Sequence, residues 1–220
     1  MILTIAHVSD THQTSSIFTS VGQVESDIVI VTGDVLDNVG RVDGLGIEPR
    51  RERRKQRSWT RKYAKKWAEA IGSRPVILVC GNHDFISPMG WLTHYGAEVH
   101  EITSSNPCVE VMGIRFAGFR EINWIAGEWP GEAHDLTPCV ERALACDPDI
   151  LVTHSPPAGI LDSRYGYGVK PLTTALAYRA HRIKAHFFGH VHEDGGKVVE
   201  VMGIYFANGA ERCMVHTIEV

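Results

Sequence analysis

The chain has 220 residues, 44% of them hydrophobic and 22% charged, with a formal net charge of −4. That length suits one α/β domain with a sizeable core, and the balance does not by itself suggest a nucleic-acid or membrane binder. No apolar run approaches the ~20 residues that span a bilayer, and the opening MILTIAHVSD lacks the basic region and cleavage site of a secretory leader.

Taken in chain order, short β-branched runs alternate with helical patterns. Ile2–Val8, Asp27–Thr32, Pro75–Cys80, Asp149–Thr153 and Ala185–Phe188 are almost continuously apolar, the mark of strands buried on both faces. Helical periodicity predicts Gln56–Ile71, Leu136–Cys146 and Pro171–His181. Strands alternating with helices predict a largely parallel sheet covered by helices. VEVMGIRFAG (109–118) and VEVMGIYFAN (199–208) echo each other. Each reads as a hairpin around a Met-Gly turn, which suggests a sheet built from two related halves.

Residues 41–66 break the composition. They hold 11 Lys/Arg against three acids, Asp43, Glu48 and Glu52. Trp59, Tyr63, Trp67 and Ile71 recur every fourth residue beneath that charge, so an amphipathic helix with an aromatic inner face is expected. The segment reads as an insertion or long connection within a single domain. Its charge is first of all a solvated helix face, with nucleic-acid phosphates contacted through Arg50–Lys66 as the alternative.

The five cysteines (80, 108, 139, 146 and 213) are odd in number and lack C-x-x-C spacing. Reduced, mostly buried thiols in a cytoplasmic protein are expected. Histidine stands out, with twelve residues, and their placement matters more than their number.

Five of the apolar runs end in metal-ligand chemistry: Asp10 and His12 in SDTH, Asp34 in GDV, Asn82, His83 and Asp84 in GNHD, His154 in HSPP, and His190 and His192 in GHVH. In open α/β sheets sites assemble at the carboxyl ends of strands, so these groups should converge. Asp with His suits a divalent cation such as Mn, Fe or Zn, and the absence of cysteine argues against a purely structural zinc. The D-x-H and H-x-H pairs would place both side chains on one side of an extended segment. Six to seven ligands exceed one tetrahedral ion and suit two ions ~3.5–4 Å apart, holding a bridging hydroxide for in-line displacement at phosphorus.

The ordered set D-x-H, G-D, G-N-H-D, H, G-H-x-H resembles the calcineurin-like metallophosphoesterases. HSPPAGILD and FFGHVHEDGG look like the small branch typified by the brain metallophosphoesterase-domain proteins. The resemblance implies a four-layer α/β/β/α sandwich of two mixed sheets flanked by helices. It implies two divalent ions, Mn favoured, one on Asp10, His12 and His192 and the other on Asn82, His154 and His190, bridged by Asp34. His83 would assist the leaving group, with Asp84 fixing its tautomer. The activity implied is hydrolysis of phosphate esters, with phosphodiesters first, cyclic nucleotides among them, and phosphomonoesters second.

Other features have plain readings beside functional ones. Asp37 is a turn residue sooner than a substrate contact, and Cys80 a buried strand thiol. Trp124 and Trp129 could stack a base at the site or pack as core or lid. His7, His94, His100, His134, His181, His186 and His216 fall in no ligand motif and read as core or surface residues.

Overall fold

In this computed structural model, residues 1–40, 46–163, 165–178 and 182–220 are described. In chain order the elements are β1 (Ile2–Ser9), α1 (Ser15–Thr19), β2 (Ile28–Val31), α2 (Pro49–Ile71), β3 (Val76–Leu78), α3 (Met89–His94), β4 (Val99–Glu101), β5 (Cys108–Val111), β6 (Ile114–Phe119), β7 (Ile122–Asn123), β8 (Glu132–Ala133), α4 (Thr137–Ala145), β9 (Ile150–Thr153), α5 (Lys170–Tyr178), β10 (Ala185–Phe188), β11 (Val198–Val201), β12 (Ile204–Asn208) and β13 (Arg212–Glu219).

Two mixed sheets stack face to face, in the orders β13-β1-β2-β3-β4 and β11-β12-β10-β9-β6-β5. The alternation of each strand explains why its run is continuously apolar. Ile28 and Ile30 of β2 face the opposite sheet, packing with Phe116, Ile150, Val152 and Phe187. Val29 and Val31 face outward onto Phe18 of α1, Trp67 of α2 and Leu92 of α3. On the second sheet, Leu151 and Phe188 turn outward to Val140 of α4 and Leu172 of α5. The result is the expected sandwich, α/β/β/α. Among the described residues no helix is long and apolar enough to cross a membrane.

All five expected strands and all three helices are present, with ends shifted by a few residues. Residues 179–181, the expected end of α5, and 41–45 of the basic segment lie outside the described residues. The largest difference is at α2, which begins at Pro49, seven residues before the expected Gln56. Glu48 caps it by accepting from Arg50 N and Arg51 N at 3.0 and 2.6 Å, and Pro49 supplies a preset first φ. The aromatic stripe begins only at Trp59, whereas the first turns bury the polar Glu52, Gln56 and Thr60, which apolar periodicity does not register.

Both Met-Gly hairpins form with two-residue turns, Val111 opposite Ile114 and Val201 opposite Ile204. Met112 and Gly113 have φ of 56° and 77°, and Met202 and Gly203 have 56° and 72°, as a type I′ turn requires. They do not divide between the two sheets. Both belong to the six-stranded sheet and close its opposite edges.

The expectation of five reduced thiols needs correction. Cys108 on edge strand β5 is joined to Cys146 just past α4, with Cα atoms 6.1 Å apart. Cys80 and Cys139 are buried free thiols and Cys213 is half-buried.

Candidate metal centre

Each strand that ends in polar chemistry delivers it to one edge of the sandwich. Oxygen and nitrogen atoms of Asp10, His12 and His192 lie within 4.8 Å of one another, as do those of Asp34, His154 and His190. His192 Nε2 is 3.3 Å from Asp10 Oδ1 and 3.3 Å from His12 Nε2. His154 Nε2 is 3.3 Å from Asp34 Oδ2 and 3.0 Å from Asn82 Oδ1. All seven residues expected to bind metal are therefore brought together. A third group, His12, Asp34 and His83, meets the same distance limit, so Asp34 belongs to two of the three groups.

The local backbone differs from expectation. Asp10, His12 and His190 are not extended. Their φ values are 50°, 42° and 69°, and Asp34 has 49°. The D-x-H pair meets through a left-handed turn, held by Asp10 N to Gly33 O at 2.9 Å and His12 N to Asp34 O at 3.0 Å. Each such residue costs on the order of 1 kcal/mol, so the framework around the site must over-determine it. Crowding makes the glycines necessary. A Cβ on Gly81 would fall on Asp34 Oδ1 and His154, and one on Gly189 would fall on Ser9 Oγ and Asp10 Oδ2.

The neighbours set which atoms are available. His154 Nδ1–H donates to Thr32 O at 2.7 Å, leaving Nε2 as the atom that could bind a cation. Asp10 Oδ2 accepts from Ser9 Oγ and from His190 N at 2.9 Å, while its buried Oδ1 has no hydrogen-bond partner. Asp34 Oδ1 accepts from His83 N at 2.7 Å. Burial alone would raise the Asp34 carboxyl, but His154, His83 and His12 hold it well below the usual carboxylate range. Burial likewise pushes His154 down, yet Asp34 beside it prevails and lifts the ring to about 9. Burial takes His190 to about 4. Two buried carboxylates, one with a bare oxygen, facing imidazole nitrogens at 3.3 Å, fit divalent cations.

Asp84 departs from its expected role. Its Oδ1 accepts from Leu36 N and its Oδ2 from Gly81 N, both at 2.8 Å, and His83 Nδ1 has no hydrogen-bond partner. Asp84 therefore braces the Gly81–Asp84 turn instead of orienting the His83 ring. Burial and the Asp34 charge raise its carboxyl to about 6. Trp129 orients His83 instead, stacking on it with centroids 4.4 Å apart and planes at 27°.

Three residues that motif reading passed over support the centre. Gln56 on α2 donates to His83 O at 2.6 Å, and Arg120, after β6, donates to Gly81 O and to Asp84 O at 2.5 and 2.9 Å. Glu211, just before β13, lies 3.4 Å from His192 Nδ1. Gln56 and Arg120 follow no ligand pattern, so no local signal marks them.

His12, Asp34, Asn82, His83, His190 and His192 floor a cavity of about 380 Å³ whose remaining wall includes Ile125, Trp129, Tyr167 and Glu193. Trp129 is thus at the site, whereas Trp124 stacks on His134 at 4.2 Å. Asp37 instead lies 3.9 Å from Lys55.

Comparison with known proteins agrees with this geometry. No curated protein matches the chain. One solved crystal structure superposes with a TM-score of 0.67 at 14% identity, covering 96% of this chain and 91% of the other. TT1561 of Thermus thermophilus superposes with 0.65 at 11% identity, covering 96% and 90%. At such identities the likeness is one of fold. The calcineurin-like phosphoesterase profile matches residues 3–194, and the chain therefore belongs to that family of metal-dependent hydrolases of phosphoester bonds.

Proposed function

We propose that the chain is a dinuclear phosphodiesterase, with Asp10, His12 and His192 on one cation, Asn82, His154 and His190 on the other, and Asp34 between them. The observation that carries this reading is the membership of Asp34 in both the His12 and the His154/His190 groups. Two divalent cations, Mn favoured, would polarise the phosphoryl oxygens and provide the nucleophile at neutral pH. The chain's own residues do the rest. His154, fixed through Thr32, presents Nε2 inward. His83, held by Trp129 on its face and by Gln56 at its carbonyl, faces the departing ester oxygen and hydrogen-bonds it.

The wall of the cavity favours a diester. A phosphomonoester dianion calls for cationic side chains around its extra charge, and among the described residues no Lys or Arg lines the cavity. Ile125, Trp129 and Tyr167 offer apolar surface that suits the second ester group, such as a nucleoside. The experiment is Mn-dependent release of nitrophenol from the bis ester against the mono ester. Preference for the bis ester is expected, and activity on the mono ester alone would leave the phosphomonoesterase reading in its place. A nuclease led by Arg50–Lys66 is the other reading, and it requires nucleic-acid binding that weakens steeply with salt.

A further inference from the structure

The strongest feature outside the metal centre is a groove of about 520 Å³ along α2. Arg51, Arg54, Lys55 and Lys62 line it, with Trp59 and Tyr63 between them. These positions recur at three- and four-residue spacing, so they share one helix face about 18 Å long. Trp59 and Tyr63 pack at 4.4 Å, and Lys62 lies over the Tyr63 ring at 5.0 Å.

A solvated basic face ordinarily carries its own counter-charges. Here the segment's acids among the described residues, Glu48 and Glu52, are committed elsewhere. Glu48 caps the helix with both carboxylate oxygens. Glu52 is buried and accepts from Val39 N and Gly40 N at 2.7 and 3.0 Å. Only Lys55 of the four cations has an acid within 4.0 Å among the described residues, Asp37 at 3.9 Å. Like charges at this spacing repel, and among the described residues no acid lines the groove. The chain thus concentrates unneutralised cations in a concavity next to partly exposed aromatic rings, on a molecule that is acidic overall.

We propose that this groove binds a nucleoside polyphosphate, its phosphates on Arg51, Arg54 and Lys62 and its base against Trp59 and Tyr63. The volume lies within the usual range for small-ligand sites, guanidinium and ammonium groups suit phosphate, and an indole beside a phenol suits a flat heterocycle. This site is separate from the hydrolytic centre and does not depend on the diesterase reading.

The test is calorimetric titration of the metal-loaded protein with adenosine diphosphate, and in parallel with inorganic pyrophosphate. One equivalent of the nucleotide should bind, and bind more tightly than pyrophosphate. In Arg54→Ala/Lys62→Ala the Kd should rise at least about tenfold, with turnover of the bis(nitrophenyl) ester within about twofold of the parent, because neither side chain lines the metal cavity. Trp59→Ala should abolish the preference for nucleotide over pyrophosphate. An unchanged Kd in the double variant would overturn the proposal, since the nucleotide would then be held at the metal centre. So would binding of a short single-stranded oligonucleotide without binding of the diphosphate, which would make the groove a nucleic-acid track.

Discussion

The side-chain amide of Gln56 holds the His83 turn from below, donating to His83 O at 2.6 Å while its oxygen accepts from Phe85 N at 2.9 Å and Ile86 N at 3.2 Å. Gln56 is fully buried. Replacing it by Leu keeps the bulk and strands the two amides, whereas His83 O retains Asn38 Nδ2 at 3.1 Å. Each buried donor left without a partner costs about 1–3 kcal/mol. Gln56→Leu should therefore lose about 2–5 kcal/mol of unfolding free energy. Turnover should drop by about ten- to a hundredfold through misplacement of His83. KM and bound metal should stay near the parent values. Denaturant titration, elemental analysis and steady-state kinetics check the three parts, and parallel loss of metal would mean that Gln56 acts through Asn82 instead.

Asp34 and His83 should separate cleanly as variants. Asp34 lies in two of the three ligand groups, and His83 in one. Asp34→Ala should abolish activity and most bound metal together. His83→Ala should keep two ions per chain and lose roughly 10²–10⁴-fold in turnover, the range for an acid/base group. An alanine variant with one ion would make His83 a ligand, and one with the parent rate would remove it from the chemistry.

Much of this was legible in the chain because a strand buried on both faces has no polar alternation to hide it. Ile28–Val31 could be read as a strand, and Gly33-Asp34 as its functional end, from adjacency alone. What escaped detection depends on contacts between distant segments. Gln56 and Glu52 look like two more polar residues in a basic helix, and only the fold turns them toward His83 and Val39. Asp10 and His12 are neighbours by sequence, but the left-handed turn that aims them is made by carbonyls of Gly33 and Asp34. The two hairpins announce their turns locally and not which sheet edge each will close.

The Cys108–Cys146 bond is equally non-local, joining an edge strand to a helix end across a sequence separation of 38. Closing a loop of that length restricts the unfolded chain by an amount worth about 3–4 kcal/mol. Cys108→Ser/Cys146→Ser should lower stability by about that much or less. Thiol titration of the unfolded, unreduced protein should find the three cysteines at 80, 139 and 213. A count of five would restore the expectation of a fully reduced chain.

His186 provides a pH dependence separate from the metal centre. The Thr153 hydroxyl donates to Ser155 O at 2.6 Å, so it can only accept from His186 Nε2–H at 2.7 Å. Nδ1 is buried without a partner, and burial pushes the ring down to about 3. In the unfolded chain the same ring titrates near ~6.5. Below that pH the unfolded state takes up a proton that the folded state refuses. Stability is therefore intact above ~6.5 and falls with acidification toward the folded value, by about 1.4 kcal/mol per pH unit for this one site. His7, lowered by burial and by the nearby His216 and His186, and His216, lowered by burial to about 4, add to the loss in the same window. His186→Phe retains an aromatic ring beside Phe188 and Phe206, whose centroids lie 4.8 and 5.8 Å from the imidazole. In metal-free protein, denaturant titrations from pH 7.5 to 4.5 should show the variant, below about pH 6.5, losing about 1.4 kcal/mol less per pH unit than the parent. Parallel curves would mean that His186 takes up its second proton, at Nδ1, in the fold as well.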